Sequence, residues 1–138
     1  QLWTIEFLSK VTEKLNSQGY LITYSSSAAV RNTLRNLGLE IFTIKPSLNN
    51  RTFWSQGTVA ISKFDKNKLK PNFNFEKLSV MEEEHLLTKA SIPYRDQDLN
   101  SSKEDIINKR LDEQLFSNLV STNKWRKKWG MTKSAFKS

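Results

Sequence analysis

Hydrophobic and polar residues alternate along the first part of the chain with the periods of helices and strands. Residues 2–16 repeat apolar side chains every three or four positions, which predicts an amphipathic helix capped by Thr4. Residues 20–24 form a short apolar run that predicts a buried strand. A turn of serines at 25–27 leads into residues 28–37, which return to helical spacing. The pattern therefore predicts a helix, a strand and a second helix.

Two further apolar runs predict a β-hairpin. The first covers residues 39–45 and stops at Pro46, and the second covers residues 57–63. The link between them is too short for a crossover helix, so the two strands should run antiparallel. In an α/β sheet, ligands bind at the carboxyl ends of the strands. Tyr24 and the serines after it would then face a binding crevice.

The remainder of the chain predicts helices. Residues 64–78 have no regular period and predict a surface linker. Capping boxes that begin at Ser79 and Ser101 predict two helices. The apolar side of the second helix would consist of Ile107, Leu111 and Leu115. The chain is thus divided into a partial α/β sheet (1–64), a linker with a helical extension (65–120) and a basic tail (121–138).

Positive charge is concentrated in that tail. The formal net charge is +8, and residues 121–138 contain basic residues but no acidic ones. Cations alternate there with flat rings, a combination that suits phosphate contact and base stacking. The residues concerned are Lys124, Trp125, Arg126, Lys127, Lys128 and Trp129. The tail is interpreted either as a nucleic-acid-binding segment or as a solubilising end.

Other candidate residues for chemistry are few. Arg31 and Arg35 are spaced to share one helix face, and Arg51 lies in a loop with aromatic residues. The alternatives are solvated helix arginines for the first pair and a loop held in place by its aromatic residues for Arg51. His85 is the sole histidine, follows three glutamates, and is interpreted as a solvated helix residue. With one histidine and no cysteine, the sequence predicts neither a catalytic triad nor a metal site. The glycines are too scattered for a phosphate-binding loop.

Several short segments carry a family resemblance. They are Leu2-Trp3-Thr4, Gly19-Tyr20-Leu21 leading into Thr23-Tyr24-Ser25, Ala29-Val30-Arg31, Gly57-Thr58-Val59-Ala60, and Ile92-Pro93-Tyr94-Arg95-Asp96 with Ser102-Lys103-Glu104. In order and spacing they resemble the C-terminal half of a class I methyltransferase domain that uses S-adenosylmethionine. More narrowly, the chain resembles the single-domain type of the bacterial family that completes 5-methylaminomethyl-2-thiouridine at the tRNA wobble position.

This resemblance implies a fold and a function. The fold would be the second half of a Rossmann-like α/β sheet that ends in an antiparallel hairpin, with the last strand inserted between the other two, and a helical C-terminal extension. The function would be methyl transfer from S-adenosylmethionine to an aminomethyl group on a wobble uridine in tRNA. The family's glycine-rich loop, ribose-binding carboxylate and catalytic aspartate would all lie upstream of Gln1. The catalytic residue is therefore unknown here, and this chain alone is not expected to bind S-adenosylmethionine.

The expected contacts follow from this resemblance together with the residue patterns. Substrate would be bound by Trp3, Tyr24, Ser25, Arg31 and Arg51, and RNA by Lys124, Trp125, Arg126, Lys127 and Lys128. The strand at 20–24, predicted to be buried on both faces, would keep one open edge, so self-association is expected. The sequence contains no run long enough to cross a membrane, and the lack of cysteine suits the cytoplasm. The alternatives are a non-catalytic RNA-binding or interaction module and an inert truncated fragment.

Overall fold

The computed structural model describes residues 3–15, 19–45, 55–62 and 75–131. The helices are α1 (Ile5–Glu13), α2 (Ala28–Asn36), α3 (Val80–His85), α4 (Lys103–Phe116) and α5 (Thr122–Lys128), with a 3-10 turn at Lys89–Ser91. The strands are β1 (Tyr20–Thr23), β2 (Leu39–Ile44), β3 (Gly57–Ser62) and β4 (Phe75–Lys77). Among these helices, none is long and apolar enough to cross a membrane.

Four of the five described helices, α1, α3, α4 and α5, begin at a residue whose side chain accepts a hydrogen bond from a free backbone N–H group. At α2, where a serine cap was predicted, Ser27 makes no such side-chain bond. The Thr4 hydroxyl accepts from the Phe7 amide at the start of α1, as predicted. Ser79 and Glu82 form the predicted capping box of α3, and both of its reciprocal bonds are present. For α4 the prediction was wrong by one residue, because Ser102, and not Ser101, accepts the capping bond.

The strands form one antiparallel sheet in the order β1-β3-β2-β4. The strand β3 lies between β1 and β2, so the predicted antiparallel insertion is confirmed. The sequence pattern did not predict β4, which falls in the segment interpreted as a linker. A strand of three residues is too short to show a period, and its position depends on Phe75, whose ring packs edge-on against Phe42.

Strand β1 differs from the prediction of burial on both faces. Tyr20 is 37 % exposed and Ile22 is 48 % exposed, because β1 lies at the edge of the sheet. In the described part of the chain its sole strand partner is β3. The expected open edge is therefore present, while self-association through it stays a prediction.

The main hydrophobic core lies between one face of the sheet and the helices α1 and α2. Leu8 and Leu34 from the helices pack there with Ile41 and Ala60 from the sheet. Because Thr58 and Thr43 pair across the strands and lie two residues from Ala60 and Ile41, they are on the same face. This face is thus apolar in its middle and hydroxyl-lined at the end where β1 stops.

Helix α4 is attached differently from the prediction. Its expected apolar side is exposed: Ile107 by 39 %, Leu111 by 54 % and Leu115 by 73 %, whereas Ile106 is buried. The reason is that polar side chains hold the helix in place. Arg110 donates to the carbonyl oxygens of Ile92 and Ala90, and Gln114 donates to that of Lys89.

The substitution Gly57→Ala tests the close approach of β1 and β3. A Cβ atom at position 57 would overlap the Thr23 carbonyl oxygen and would lie 3.1 Å from the Tyr24 Cα atom. We expect the free energy of unfolding in urea to fall by about 3 kcal/mol, since backbone atoms must shift. The control is Gly130→Ala, where an added Cβ would have open space. Only the left-handed backbone is unfavourable for alanine there, so the free energy of unfolding should fall by about 1 kcal/mol. Equal losses in the two variants would contradict the close approach.

Candidate functional site

A pocket lies at the carboxyl end of β1. Its volume is about 380 Å³. The walls come from the start of α1, the serine turn, the start of α2 and the first turn of α4. They consist of Trp3, Thr4, Ser25, Ser27, Val30, Tyr94, Lys103, Ile106 and Ile107. This is the position at which α/β sheets bind ligands.

The aromatic wall of the pocket is held in place by the backbone and by a cation. The Ile5 amide donates to the Tyr94 carbonyl oxygen at 2.9 Å, which joins the start of α1 to the segment before α4. The Arg110 guanidinium lies 4.4 Å from the centre of the Tyr94 ring. Such cation–π contacts restrain the orientation of a ring. Tyr94 is therefore a preformed wall of the pocket.

The remaining walls combine hydroxyl groups, one cation and an apolar floor. Ser25 and Ser27 supply hydroxyls, Lys103 supplies an exposed ammonium group, and Ile106 and Val30 are buried. This arrangement suits a flat ring with polar substituents, placed so that an attached anionic group reaches Lys103.

The structure brings together some of the residues predicted to bind substrate and separates others. Trp3 and Ser25 both line the pocket. Tyr24 follows β1 but is 92 % exposed and is not among the lining residues. Arg51 lies outside the described residues. The sequence analysis did not assign Tyr94 or Lys103 to a site, although both belong to segments that carried the resemblance.

Arg31 requires a correction, because its side chain is buried and faces away from the pocket. Its Nη1 group donates to Glu82 Oε2 at 2.6 Å, and its Nε group donates to Thr58 Oγ1 at 2.8 Å. The Nη2 group donates to Ser55 Oγ and to the Gly57 carbonyl oxygen, each at 2.9 Å. Burial lowers the pKa of Arg31, and the Glu82 carboxylate opposes that shift. The guanidinium therefore serves protein partners rather than a ligand.

Arg35, one turn along α2, remains near the surface. Its two terminal nitrogens donate to the two carboxylate oxygens of Glu83, both at 2.8 Å. Hydrogen bonding to Arg35 lowers the pKa of Glu83. Arg31 and Arg35, predicted to share one helix face, thus both bond to glutamates of α3, Arg31 in the interior and Arg35 near the surface.

The segment predicted as a basic tail also requires a correction, because α5 packs against α3. Trp125 is 3 % exposed, and its ring is stacked on His85 with 4.1 Å between ring centres. Its indole N–H donates to the Met81 carbonyl oxygen at 2.9 Å. The predicted role of Trp125 as an exposed ring for base stacking does not fit this position.

The cations of α5 differ in their availability. Lys128 and the Trp129 indole both donate to the Glu84 carboxylate, at 2.8 Å each, and these bonds lower the pKa of Glu84. Lys124 and Lys127 are exposed. The Arg126 side chain is half-buried and donates to Asn123 Oδ1. Of the five residues predicted to bind RNA, Lys124, Lys127 and Lys128 are thus exposed, and the charge of Lys128 is paired with Glu84.

His85 is a core residue, so the interpretation as a solvated residue was wrong. It is 5 % exposed, and burial lowers its pKa to about 4, with further lowering by the nearby charges of Arg31 and Arg126. His85 is one helical turn from Met81, on the side of α3 that receives Trp125. The spacing of Met81 and His85 indicates that both lie on the packed side of the helix. The three glutamates before His85 instead made this segment resemble a solvated helix face.

Part of the chain matches a known protein family, and its fold matches a solved structure. Residues 1–58 match the family described as S-adenosyl-L-methionine-dependent methyltransferase. The first part of the chain is methyltransferase-like. The fold matches the crystal structure of MNMC2 from Aquifex aeolicus with a TM-score of 0.66 and 29 % sequence identity, over 83 % of this chain and 33 % of that one. The predicted resemblance and fold class are thus confirmed.

A curated relative extends the match over almost the whole chain. An uncharacterized protein of Methanocaldococcus jannaschii is 28 % identical over 127 residues, which are 90 % of this chain and 33 % of that protein. The chain therefore spans about a third of the length of both proteins it matches.

The burial of His85 predicts a pH dependence of stability. Because its pKa is about 4 in the folded protein and 6.5 in the reference state, the unfolded chain takes up the proton first as the pH falls. The His85 contribution is fully present above pH 6.5 and is lost as the pH falls toward 4. We expect the free energy of unfolding in urea to be about 2 kcal/mol lower at pH 5 than at pH 7.

The matched variant is His85→Phe, which keeps an aromatic ring against Trp125 but cannot take up a proton. Its free energy of unfolding should be nearly constant between pH 5 and pH 7, because the carboxylates of Glu83 and Glu84 titrate below that window. A variant with the same pH dependence as the original chain would show that His85 is not the titrating group.

Proposed function

We propose that this chain forms the methyl-acceptor side of an S-adenosylmethionine-dependent methyltransferase that acts on the aminomethyl group of a modified wobble uridine in tRNA. The observation that carries the proposal is the pocket at the end of β1. Most of its lining comes from residues within the range that matches the methyltransferase family, among them Trp3 and Ser25. The likeness to MNMC2 supports the substrate assignment.

The lining residues fit the acceptor better than the donor. Among the described residues that line the pocket there is no carboxylate that could accept hydrogen bonds from a ribose. We therefore assign the binding of S-adenosylmethionine, which supplies the methyl group, to parts of the whole protein outside this chain. The proteins it matches are about three times as long, and such parts are compatible with that length.

The residues of this chain would position the acceptor. A uracil ring would lie against Trp3 and Tyr94, with its polar edge toward the Ser25 and Ser27 hydroxyls. Lys103, at the rim, would bind the neighbouring phosphate. The buried apolar floor would exclude water from the amine, and holding the reacting amine in a fixed, dry position is a large part of what catalysis of such a transfer requires.

The partner in this proposal is tRNA, and the compartment is the cytoplasm. A second candidate is a non-catalytic RNA-binding module, which is favoured by the exposed lysines of α5, Lys124 and Lys127. An inert fragment is the third interpretation. Activity and RNA binding must therefore be measured separately.

A chimera tests the methyltransferase proposal. Residues 1–138 replace the aligned region of the Aquifex aeolicus protein, and transfer of labelled methyl groups to tRNA that carries 5-aminomethyl-2-thiouridine is measured. We expect the chimera to be active, and we expect this chain alone to be inactive and to show no calorimetric binding of S-adenosylmethionine. Trp3→Ala should lower kcat/KM about 5- to 150-fold, the equivalent of a stacking contact of about 1–3 kcal/mol.

The control for the pocket is Leu115→Ala, on the exposed side of α4 and outside the pocket, which should leave kcat/KM unchanged. A folded chimera that transfers no methyl groups, while the unaltered Aquifex aeolicus protein does so in parallel, would contradict the proposed function.

The role of α5 in binding tRNA is tested by salt dependence. Replacement of Lys124 and Lys127 by alanine should reduce the log–log slope of affinity against salt by roughly 1.4 to 1.8, because each phosphate contact contributes about 0.7 to 0.9. Fluorescence anisotropy with labelled tRNA at several KCl concentrations measures the slope. The control is Lys109→Ala, an exposed lysine on α4. If the double variant keeps the original slope, α5 is not an RNA-binding surface.

A further inference from the structure

The serine turn that lines the pocket is tied to the middle of the sheet. The Ser25 carbonyl oxygen accepts a hydrogen bond of 2.7 Å from the Thr58 hydroxyl. Thr58 lies on β3 and is fully buried. The same hydroxyl oxygen accepts the 2.8 Å bond from Arg31 Nε. A continuous chain of hydrogen bonds therefore connects the pocket wall to the buried guanidinium.

The direction of this chain follows from the chemistry of the groups. A guanidinium can only donate and a backbone carbonyl can only accept, whereas a hydroxyl has one hydrogen and can also accept. Since Arg31 donates to Thr58, the single hydroxyl hydrogen of Thr58 is left for Ser25. The Arg31 charge thus determines how Thr58 is oriented and which group it holds.

Arg31 is itself held in one position. Its side chain is 0 % exposed, and that of Glu82, its ion-pair partner on α3, is 7 % exposed. Bonds to Ser55 and to the Gly57 carbonyl oxygen hold the other side of the guanidinium plane. A planar group with several bonded nitrogens has little freedom to move. The far end of the chain is therefore a fixed point.

We infer that Arg31 is a positioning residue: through the Thr58 hydroxyl, its guanidinium sets the position of Ser25 in the wall of the pocket. The inference rests on the proposed function only in naming the pocket as the methyl-acceptor site. A simpler role, in which Arg31 only cross-links α2, β3 and α3, predicts loss of stability without a selective effect on the turn.

The test uses the full 138-residue chain and hydrogen exchange of single amides measured by NMR. Thr58→Val keeps the shape of the side chain but removes the hydroxyl, whereas Thr58→Ser keeps the hydroxyl. We expect the valine variant to raise exchange at the Ser25 and Ser27 amides roughly 5- to 10-fold relative to amides in the middle of β3, the effect of one lost hydrogen bond. The serine variant should restore the original rates.

A second pair of variants separates positioning from cross-linking. Arg31→Lys keeps a charge beside Glu82 but has no Nε group to donate to Thr58, so the turn should again exchange faster. Arg35→Lys on the same helix should leave the turn unchanged. If Thr58→Val unfolds the chain, the inference is tested by the other two variants: exchange at the turn should be faster in Arg31→Lys and unchanged in Thr58→Ser.

The outcomes are distinct. Faster exchange that is confined to the turn and is rescued by Thr58→Ser supports positioning. Original rates at the turn in both Thr58→Val and Arg31→Lys, or a uniform rise of exchange over the whole chain in Arg31→Lys, would overturn it. Because exchange is measured without methyl transfer, this result does not depend on whether the chimera is active.

Discussion

The buried charge of Arg31 is the constraint on which much of this structure depends. A guanidinium removed from water is tolerated only when it is paired and its N–H groups are hydrogen-bonded. The partners are Glu82 from α3, Ser55, and Thr58 and Gly57 from β3. The need to satisfy this one side chain therefore connects α3 to α2 and selects a hydroxyl-lined end for the sheet.

The consecutive glutamates of α3 extend that constraint to the surface. Successive residues on an α-helix point about 100° apart, so each carboxylate faces a different neighbour. In order, Glu82, Glu83 and Glu84 pair with Arg31, Arg35 and Lys128. The first pair is buried and the other two are at the surface, where ion pairs contribute little stability. The three consecutive glutamates of α3 thus connect this helix to the buried side of α2, to the exposed side of α2 and to α5.

Local periodicity and a family resemblance were sufficient to predict α1 to β3, including the insertion of β3 between its neighbours. The wrong predictions for Trp125, His85 and Arg31 have a common cause, since each depends on a contact distant in sequence. Trp125 and His85 are 40 positions apart in sequence, and nothing in either neighbourhood marks them as partners. The same holds for Arg31, whose helical spacing is equally compatible with a solvated and a buried position. Trp3 and Ser25 could be placed beside one pocket from the sequence because they flank predicted element ends, whereas their role in binding a substrate stays a prediction.

The central position of β3 has a consequence for the order of folding. In the sheet, β1 and β2 are neighbours in sequence but lie on opposite sides of a strand that is synthesised after both. They cannot complete their pairing until residues 57–62 arrive, and loop-closure entropy must be overcome before the contacts are made. During synthesis, the apolar strands β1 and β2 therefore each keep an unpaired edge until the same later segment, β3, is present. This topology favours completion of the sheet around β3, its third strand along the chain, rather than growth outward from its first strand.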